Sequence, residues 1–534
     1  MNRPTIPTAP WKWLPTSLMV VILFDASARA QSTGSAEPAG ASFAPPASTS
    51  TAPSPAFVAT PPGASPRRQK TQEETPAPAE IPSAAAAGEP AKFARTPLKA
   101  TFGQGANTWG VTLFGTFQSD FLADTTRSYE ESVGPALVAR TDTYEGKVGR
   151  TQFTTRNTRV GLVLDAPTFG AFTPSAAILT DFAGNQPGVP YPSRNGASDG
   201  NQLGEIQYYN SPTLRIRYAY FTLRSRLVDI VAGETVDVFG WQSYYSLLSL
   251  SWVPNQITSR NTQFRLSRSF GVGPISVDVA VEAARPAQRD AQIPDVAAAL
   301  RLSVNGWKGI TTPGNAVTLA SPLSISVSGI SRQFKVNAFT PPPAQNSNKA
   351  MGWGLSLDLF LPIIPATSVD DRTNKLTLIG SFVTGTGMAD VMVTGGGARF
   401  PTLPNPAQAS PPPEYIPDVD NGLVSFDTVG VLHTIDWWTA KGGLQYYAPG
   451  RFILAVNATY AHSKNIGKLF PRGGAEIDLL GTVADTTMYG EGTLLWDATP
   501  SVRFGISGQY MRVRYLDGNE PHNIRGIGQA LYVF

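Results

Sequence analysis

The sequence predicts an all-β fold, a transmembrane antiparallel β-barrel of about sixteen strands with short periplasmic turns and long extracellular loops. Three observations carry this. From Thr108 onward, apolar side chains alternate with polar or small ones in successive short segments. The connections between segments alternate between tight turns and long polar loops. The last seven residues, Gly528 to Phe534, form one more alternating segment that ends on a terminal phenylalanine. A bilayer offers backbone groups no water, so a spanning chain is helical or a closed barrel, and alternation of period two fits only the barrel. A large soluble sandwich or solenoid shares the alternation, but the amino terminus and Phe534 argue against it.

Residues 1–30 read as a secretory signal. Arg3 and Lys12 precede a short apolar run from Leu14 to Phe24, and Ala28-Arg29-Ala30 supplies a small-residue cleavage site before Gln31. The run holds Pro15 and stops well short of the roughly 20 apolar residues that a spanning helix needs. No longer run follows, so anchoring falls to the fold itself. Residues 31–105 form an Ala/Pro-rich segment with few large apolar side chains, which cannot bury enough surface to fold and reads as a disordered periplasmic tether. It is too poor in apolar residues to make the folded plug of an energy-coupled receptor.

The barrel is assigned to 106–534. Asp165–Gly170, Leu223–Leu227, Tyr447–Arg451 and Asp497–Ser501 read as periplasmic turns, and the long loops at 121–150, 184–213, 240–260, 286–296, 340–350, 387–430, 463–486 and 516–523 then face outside. In Phe452 to Tyr460 the even positions carry the bulk and face lipid; in Leu323 to Ser328 three serines share the other face, as a water-filled lumen would require. Trp109, Trp241, Trp353, Trp438 and Trp496 suit interfacial girdles. A barrel of about sixteen strands leaves an aqueous channel, whereas one of about eight is filled by its own side chains.

Composition excludes several classes. Cysteine is absent, which removes a disulfide framework, a cysteine zinc site and a lipid-modified cysteine. The net charge of +3 is too small to imply a nucleic-acid partner. No cofactor or metal is expected: the glycines at 395–397 have no following helix or lysine, and Asp418, Asp420 and Asn421 lack the closing glutamate of a calcium loop. Catalysis is disfavoured, because only His433, His462 and His522 are present, and His462 and Ser463 point to opposite faces of a strand.

Selectivity in such a channel comes from charge at its narrow level. Arginine outnumbers lysine more than two to one. Apolar phase places Arg159, Arg215, Arg217, Arg265, Arg301, Arg332, Arg503, Arg512 and Arg514 toward the lumen; Tyr218, with Leu214 and Ile216, falls outside. Asp229, Asp278, Glu282 and Asp358 are the inward acids. The arginines either form a positive patch, set up a transverse field with the acids, or pair with them to stiffen the wall.

At this point the chain resembles the bacterial porin superfamily, through its strand rhythm, Thr155-Arg156-Asn157-Thr158-Arg159-Val160-Gly161-Leu162 and the terminal Tyr532-Val533-Phe534. Within that superfamily it resembles DcaP-like porins, although the coiled-coil segment that tends to precede the barrel there is missing from the Ala/Pro-rich stretch. The resemblance implies a homotrimer in the outer membrane of a Gram-negative-type bacterium, surrounded by outer-membrane lipid and passing small hydrophilic, often anionic, solutes by diffusion. It also implies that the third loop folds inward as a constriction. That loop holds Trp241, Tyr244, Tyr245, Leu250 and Trp252, with Glu234 and Asp237 at its base. The same apolar loop would otherwise serve a contact between protomers or cover the mouth. The sequence thus reads as an anion-preferring passive porin, with an unselective channel or a structural or adhesive barrel with a plugged lumen as alternatives.

Overall fold

The computed structural model describes residues 98–534 apart from 129–136, 185–212, 242–249, 251–252, 289–290, 313–317, 337–346, 393–418, 420–421, 428 and 470–482. The expected signal sequence and nearly all of the Ala/Pro-rich segment lie outside the described residues. The chain runs through β1 (Leu98–Phe102), β2 (Trp109–Asp124), β3 (Arg150–Thr154), β4 (Arg159–Asp165), β5 (Thr173–Asp181), β6 (Arg215–Arg224), β7 (Asp229–Val236), β8 (Arg260–Val272), β9 (Ile275–Ala284) and β10 (Asp295–Thr311). It continues through β11 (Leu319–Lys335), β12 (Lys349–Ile364), β13 (Lys375–Thr386), β14 (Val424–Phe426), β15 (Leu432–Thr434), β16 (Asp436–Ala448), β17 (Phe452–Ser463), β18 (Ala484–Asp497), β19 (Val502–Tyr515) and β20 (His522–Val533).

Sixteen of these strands close a ring. β2, β4 to β13 and β16 to β20 pair antiparallel in chain order, and β20 returns to β2 from Thr116↔Val533 to Asp124↔Arg525. The expected turns join β4–β5, β6–β7, β16–β17 and β18–β19 at one end, and the long loops leave the other. β3 and β4 share one wall position, both paired to β2; across the break between them, Thr158 Oγ1 takes over the ladder by accepting from the Gln118 amide at 3.1 Å. β1 pairs with the first residues of β2, Leu98↔Leu113 to Phe102↔Trp109, below the end of β20. β14 and β15 form a small hairpin inside the loop before β16.

The seam closes on the last residue. The Gly115 amide donates to the Phe534 carbonyl at 3.0 Å, and the Phe534 amide donates back to Gly115 at 3.1 Å. Gly115 must be glycine here, since a Cβ would meet Phe534 Cζ at 2.7 Å.

Two faces follow from the alternation. Phe264, Leu300, Ile325, Leu357, Val456 and Ile506 stand exposed on the outside, an apolar band that suits hydrocarbon. Ser324, Ser326 and Ser328 lie buried on the inside. One phase departs from the sequence reading. β5 and β6 pair Leu179↔Tyr218 and then Thr180↔Ile216, so Arg217 is an extra, bulged residue. Ile216 therefore faces out while Tyr218, expected outside, turns inward and is buried. The wall is also uneven in height: β4 and β7 have seven and eight residues, whereas β10 and β11 have seventeen each.

Candidate channel lumen

The loop between β7 and β8 lies inside the barrel. Its first residues dock on the wall nearby: the Val238 amide donates to Glu282 on β9 at 2.9 Å, and the Gly240 amide to Ser328 Oγ on β11 at 2.9 Å. Trp241 sits beneath the Arg301 guanidinium, 4.7 Å from its ring centre. Farther along, Asn255 Nδ2 donates to Thr459 Oγ1 on β17 at 3.1 Å, and its Oδ1 accepts from Thr487 on β18 at 2.6 Å. Thr439 on β16 donates to the Asn255 carbonyl at 2.9 Å. β7 is fifth and β17 thirteenth in the ring of sixteen, so these contacts are diametrically placed and the loop crosses the lumen. The wall makes room for it: a Cβ at Gly354 would meet Phe239 at 2.6 Å, and one at Gly505 would meet Leu250 at 3.0 Å. The loop is further clasped by the one before β16, through Thr258 donating to the Val391 carbonyl at 2.9 Å. Tyr244, Tyr245 and Trp252 lie outside the described residues.

Asp237 at the loop root is buried and accepts from Asn261 Nδ2 at 2.7 Å, from Gln263 Nε2 at 3.2 Å and from the Ser259 hydroxyl. Burial pushes its carboxyl up to about 6, against the hydrogen bonds from Ser259 and Asn261, which pull it down. Glu234 does not belong with it. It pairs with Ala219 and Thr262 on the outward register, so its carboxylate leaves the lumen side.

The inward arginines are held by carboxylates, several of which the sequence reading missed. Arg215 Nη2 and Arg217 Nη1 converge on Asp181 Oδ2 at 2.7 and 2.8 Å. Arg301 meets Asp278 at 2.9 Å. Arg332 is gripped between Asp295 and Asp390, both at 2.6 Å, and also donates to the Gly387 carbonyl. Arg503 and Arg372 share Asp497 at 2.6 and 2.8 Å, and Arg525 meets Asp124 at 2.8 Å across the seam. Arg265 is buried opposite Glu282 and donates to the Val236 carbonyl. Arg159 lies on the inward register opposite Asp181. Asp229 accepts from the Ser225 amide at the periplasmic turn, and Asp358 is buried with Ser356, one strand from Lys441. Asp181 and Asp390 adjoin long loops and lie far in sequence from Arg215 and Arg332, so no local spacing signals the pairing.

Arg512 and Arg514 correct the sequence reading. They fall with Phe504, Ile506 and Tyr510 on the exposed outward register of β19, whereas Met511 and Val513 are the buried, inward residues. Those two pack with Val138 of the first loop, Val253 of the third and Tyr515. Near the mouth an apolar phase therefore marks loop packing inside the barrel, and taking it for the lipid side inverts the strand. His433 meets Asp427 at 2.7 Å in the β14–β15 hairpin, while His462 and His522 sit at the outer rim of β17 and β20.

No protein-family model matches the sequence, and no curated protein matches it. Among solved structures, the fold is similar to the outer membrane channel DcaP of Acinetobacter baumannii, with a TM-score of 0.53 at 15% identity over 82% of this chain and 100% of that chain. Lower likeness is found to an anion-selective porin from Comamonas acidovorans, with a TM-score of 0.43 at 8% identity over 80% of this chain and 100% of that one. A trimer form of OmpT from Vibrio cholerae gives 0.42 at 10% identity over 80% and 99%. The chain thus folds as a porin-type barrel of sixteen strands, similar in architecture to the DcaP channel.

Proposed function

We propose that the protein is an outer-membrane porin, a passive diffusion channel that prefers small anions such as carboxylates and phosphate-like species. The observation that carries the preference is the convergence of Arg215 and Arg217 on the single carboxylate of Asp181. Two guanidinium groups on one carboxylate leave a local positive excess, and the guanidinium fork matches carboxylate and phosphate oxygens. Arg159 and Arg265 extend the same wall. A homotrimer belongs to this reading. β4 and β7, at seven and eight residues, fall short of the roughly 9 to 11 that a tilted strand needs to cross hydrocarbon. A neighbouring protomer over this low wall would shield it from lipid.

The zero-current potential in a planar bilayer under a salt gradient tests the proposal: a value near the chloride limit is expected, and a cation-signed value would overturn it. A second reading, a structural or adhesive barrel with a closed lumen, is favoured by the loop that crosses the interior. It predicts no conductance at all in the same experiment.

A further inference from the structure

The outward face of the last strands carries groups that a lipid-facing wall does not need. On β19 the outward series Phe504, Ile506 and Tyr510 continues at the outer rim to Arg512 and Arg514, whose side chains are 48% and 44% exposed. Register sets Arg512 beside His522 on β20 and Arg514 beside Thr486 on β18, which in turn faces His462 on β17. Trp438 and Tyr460 stack at 5.2 Å on the same rim, and Tyr510 stacks on His522 at 5.8 Å, as expected at a membrane–water boundary. Arg512 is bonded to Glu520, and Arg514 to Asp485 at 2.8 Å. Ion pairs this exposed are weak in water and exchange readily for another anion.

Below the arginines the outward register is bare. Gly492, Gly508 and Gly526 stand side by side across β18, β19 and β20, paired Gly492↔Gly508 and Gly508↔Gly526. A Cβ at any of them meets nothing within 4 Å, and none has a positive φ, so neither packing nor backbone conformation calls for glycine. Lipid-facing strand positions favour β-branched and aromatic side chains, and an interior glycine weakens a strand unless another molecule approaches closely.

We propose that this face docks one phosphate-bearing lipid of the outer leaflet. Arg512 and Arg514 hold its phosphate at headgroup level, and its acyl chains lie over the glycine row. Charge complementarity above and a smooth apolar face below suit an amphiphile better than a second copy of the chain. Glu520 and Asp485 exchange their partners for water as the phosphate enters.

The test is native mass spectrometry of the purified protein with diphosphorylated lipid A and, separately, with a neutral glycolipid of similar chain length. Wild type is expected to bind one lipid A per protomer with at least tenfold preference over the neutral lipid. The Arg512→Gln/Arg514→Gln double variant should lose that preference, and Gly508→Ile should weaken both lipids at least tenfold with unchanged conductance. Gly526→Ala replaces Gly508→Ile if the larger side chain prevents folding, as judged by migration of the unheated barrel. Lipid A binding unchanged in the arginine variant would overturn the proposal. So would a glycine variant that keeps its lipid but loses association between copies, which would assign the face to a protein contact.

Discussion

Asp181 decides how much of the positive wall a passing ion feels, because it is the carboxylate on which Arg215 and Arg217 meet. Asp181→Asn is expected to move the zero-current potential further toward the chloride limit, and Arg215→Gln/Arg217→Gln to move it toward zero. Shifts of the same sign from both variants would contradict a local field set by these three side chains. Arg332 makes the opposite arrangement, one guanidinium between Asp295 and Asp390. Arg332→Gln leaves two facing carboxylates without their cation and should cost about 3–5 kcal/mol. A lowered unfolding temperature and faster proteolysis in the loop between β13 and β16 would register it. At this scale the sequence was legible wherever a strand stayed regular. It misled at Arg217, where a bulge shifts the phase, and at Arg512 and Arg514, where Met511 and Val513 face a loop rather than lipid.

The loop between β7 and β8 is the element on which conductance depends. Asn255 anchors its far end and also adopts a left-handed backbone, with φ 63°. Asn255→Ala removes two side-chain hydrogen bonds worth about 1 kcal/mol each and adds about 1 kcal/mol of backbone strain. Larger unitary conductance and greater open-channel noise are expected; wild-type noise would mean the apolar contacts alone hold the loop. The root should respond to pH. Since Asp237 titrates near 6 in the docked loop rather than near its ordinary 3.8, the docked form binds the proton more tightly, so docking strengthens as pH falls through about 6 and weakens above it. Open-channel noise should therefore be lower at pH 5 than at pH 8, and the reverse order would exclude Asp237 as the titrating group. Periplasmic turns were legible at this scale because proline, glycine and short polar runs punctuate them. The break between β3 and β4 was not, because a threonine hydroxyl replaces a backbone partner and leaves no gap in the hydrophobic pattern.

For the whole molecule, strand number and orientation were legible because lipid outside and water inside impose period two on every strand. The pairing of lumen charges was not, since it joins residues brought together only by closure, as Asp124 and Arg525 are. Deleting Phe534 would leave both the amide and the carbonyl of Gly115 without partners in a setting where each orphaned group costs several kcal/mol. A fall in the temperature at which the barrel loses its compact gel migration, and a lower yield of folded protein, are expected; an unchanged temperature would show that β1 or the neighbouring strands seal the gap. The seam also orders events in time. β2 is made early, yet its partner β20 lies more than four hundred residues downstream. Loop-closure entropy grows only as the logarithm of such a span, so the cost falls on kinetics rather than on equilibrium. Until synthesis ends, the upper edge of β2 is a bare template for any other extended chain. A nascent chain clipped before its last strand has fifteen good strands and no state that a bilayer will accept, so quality control of this protein reduces to whether its final dozen residues have arrived.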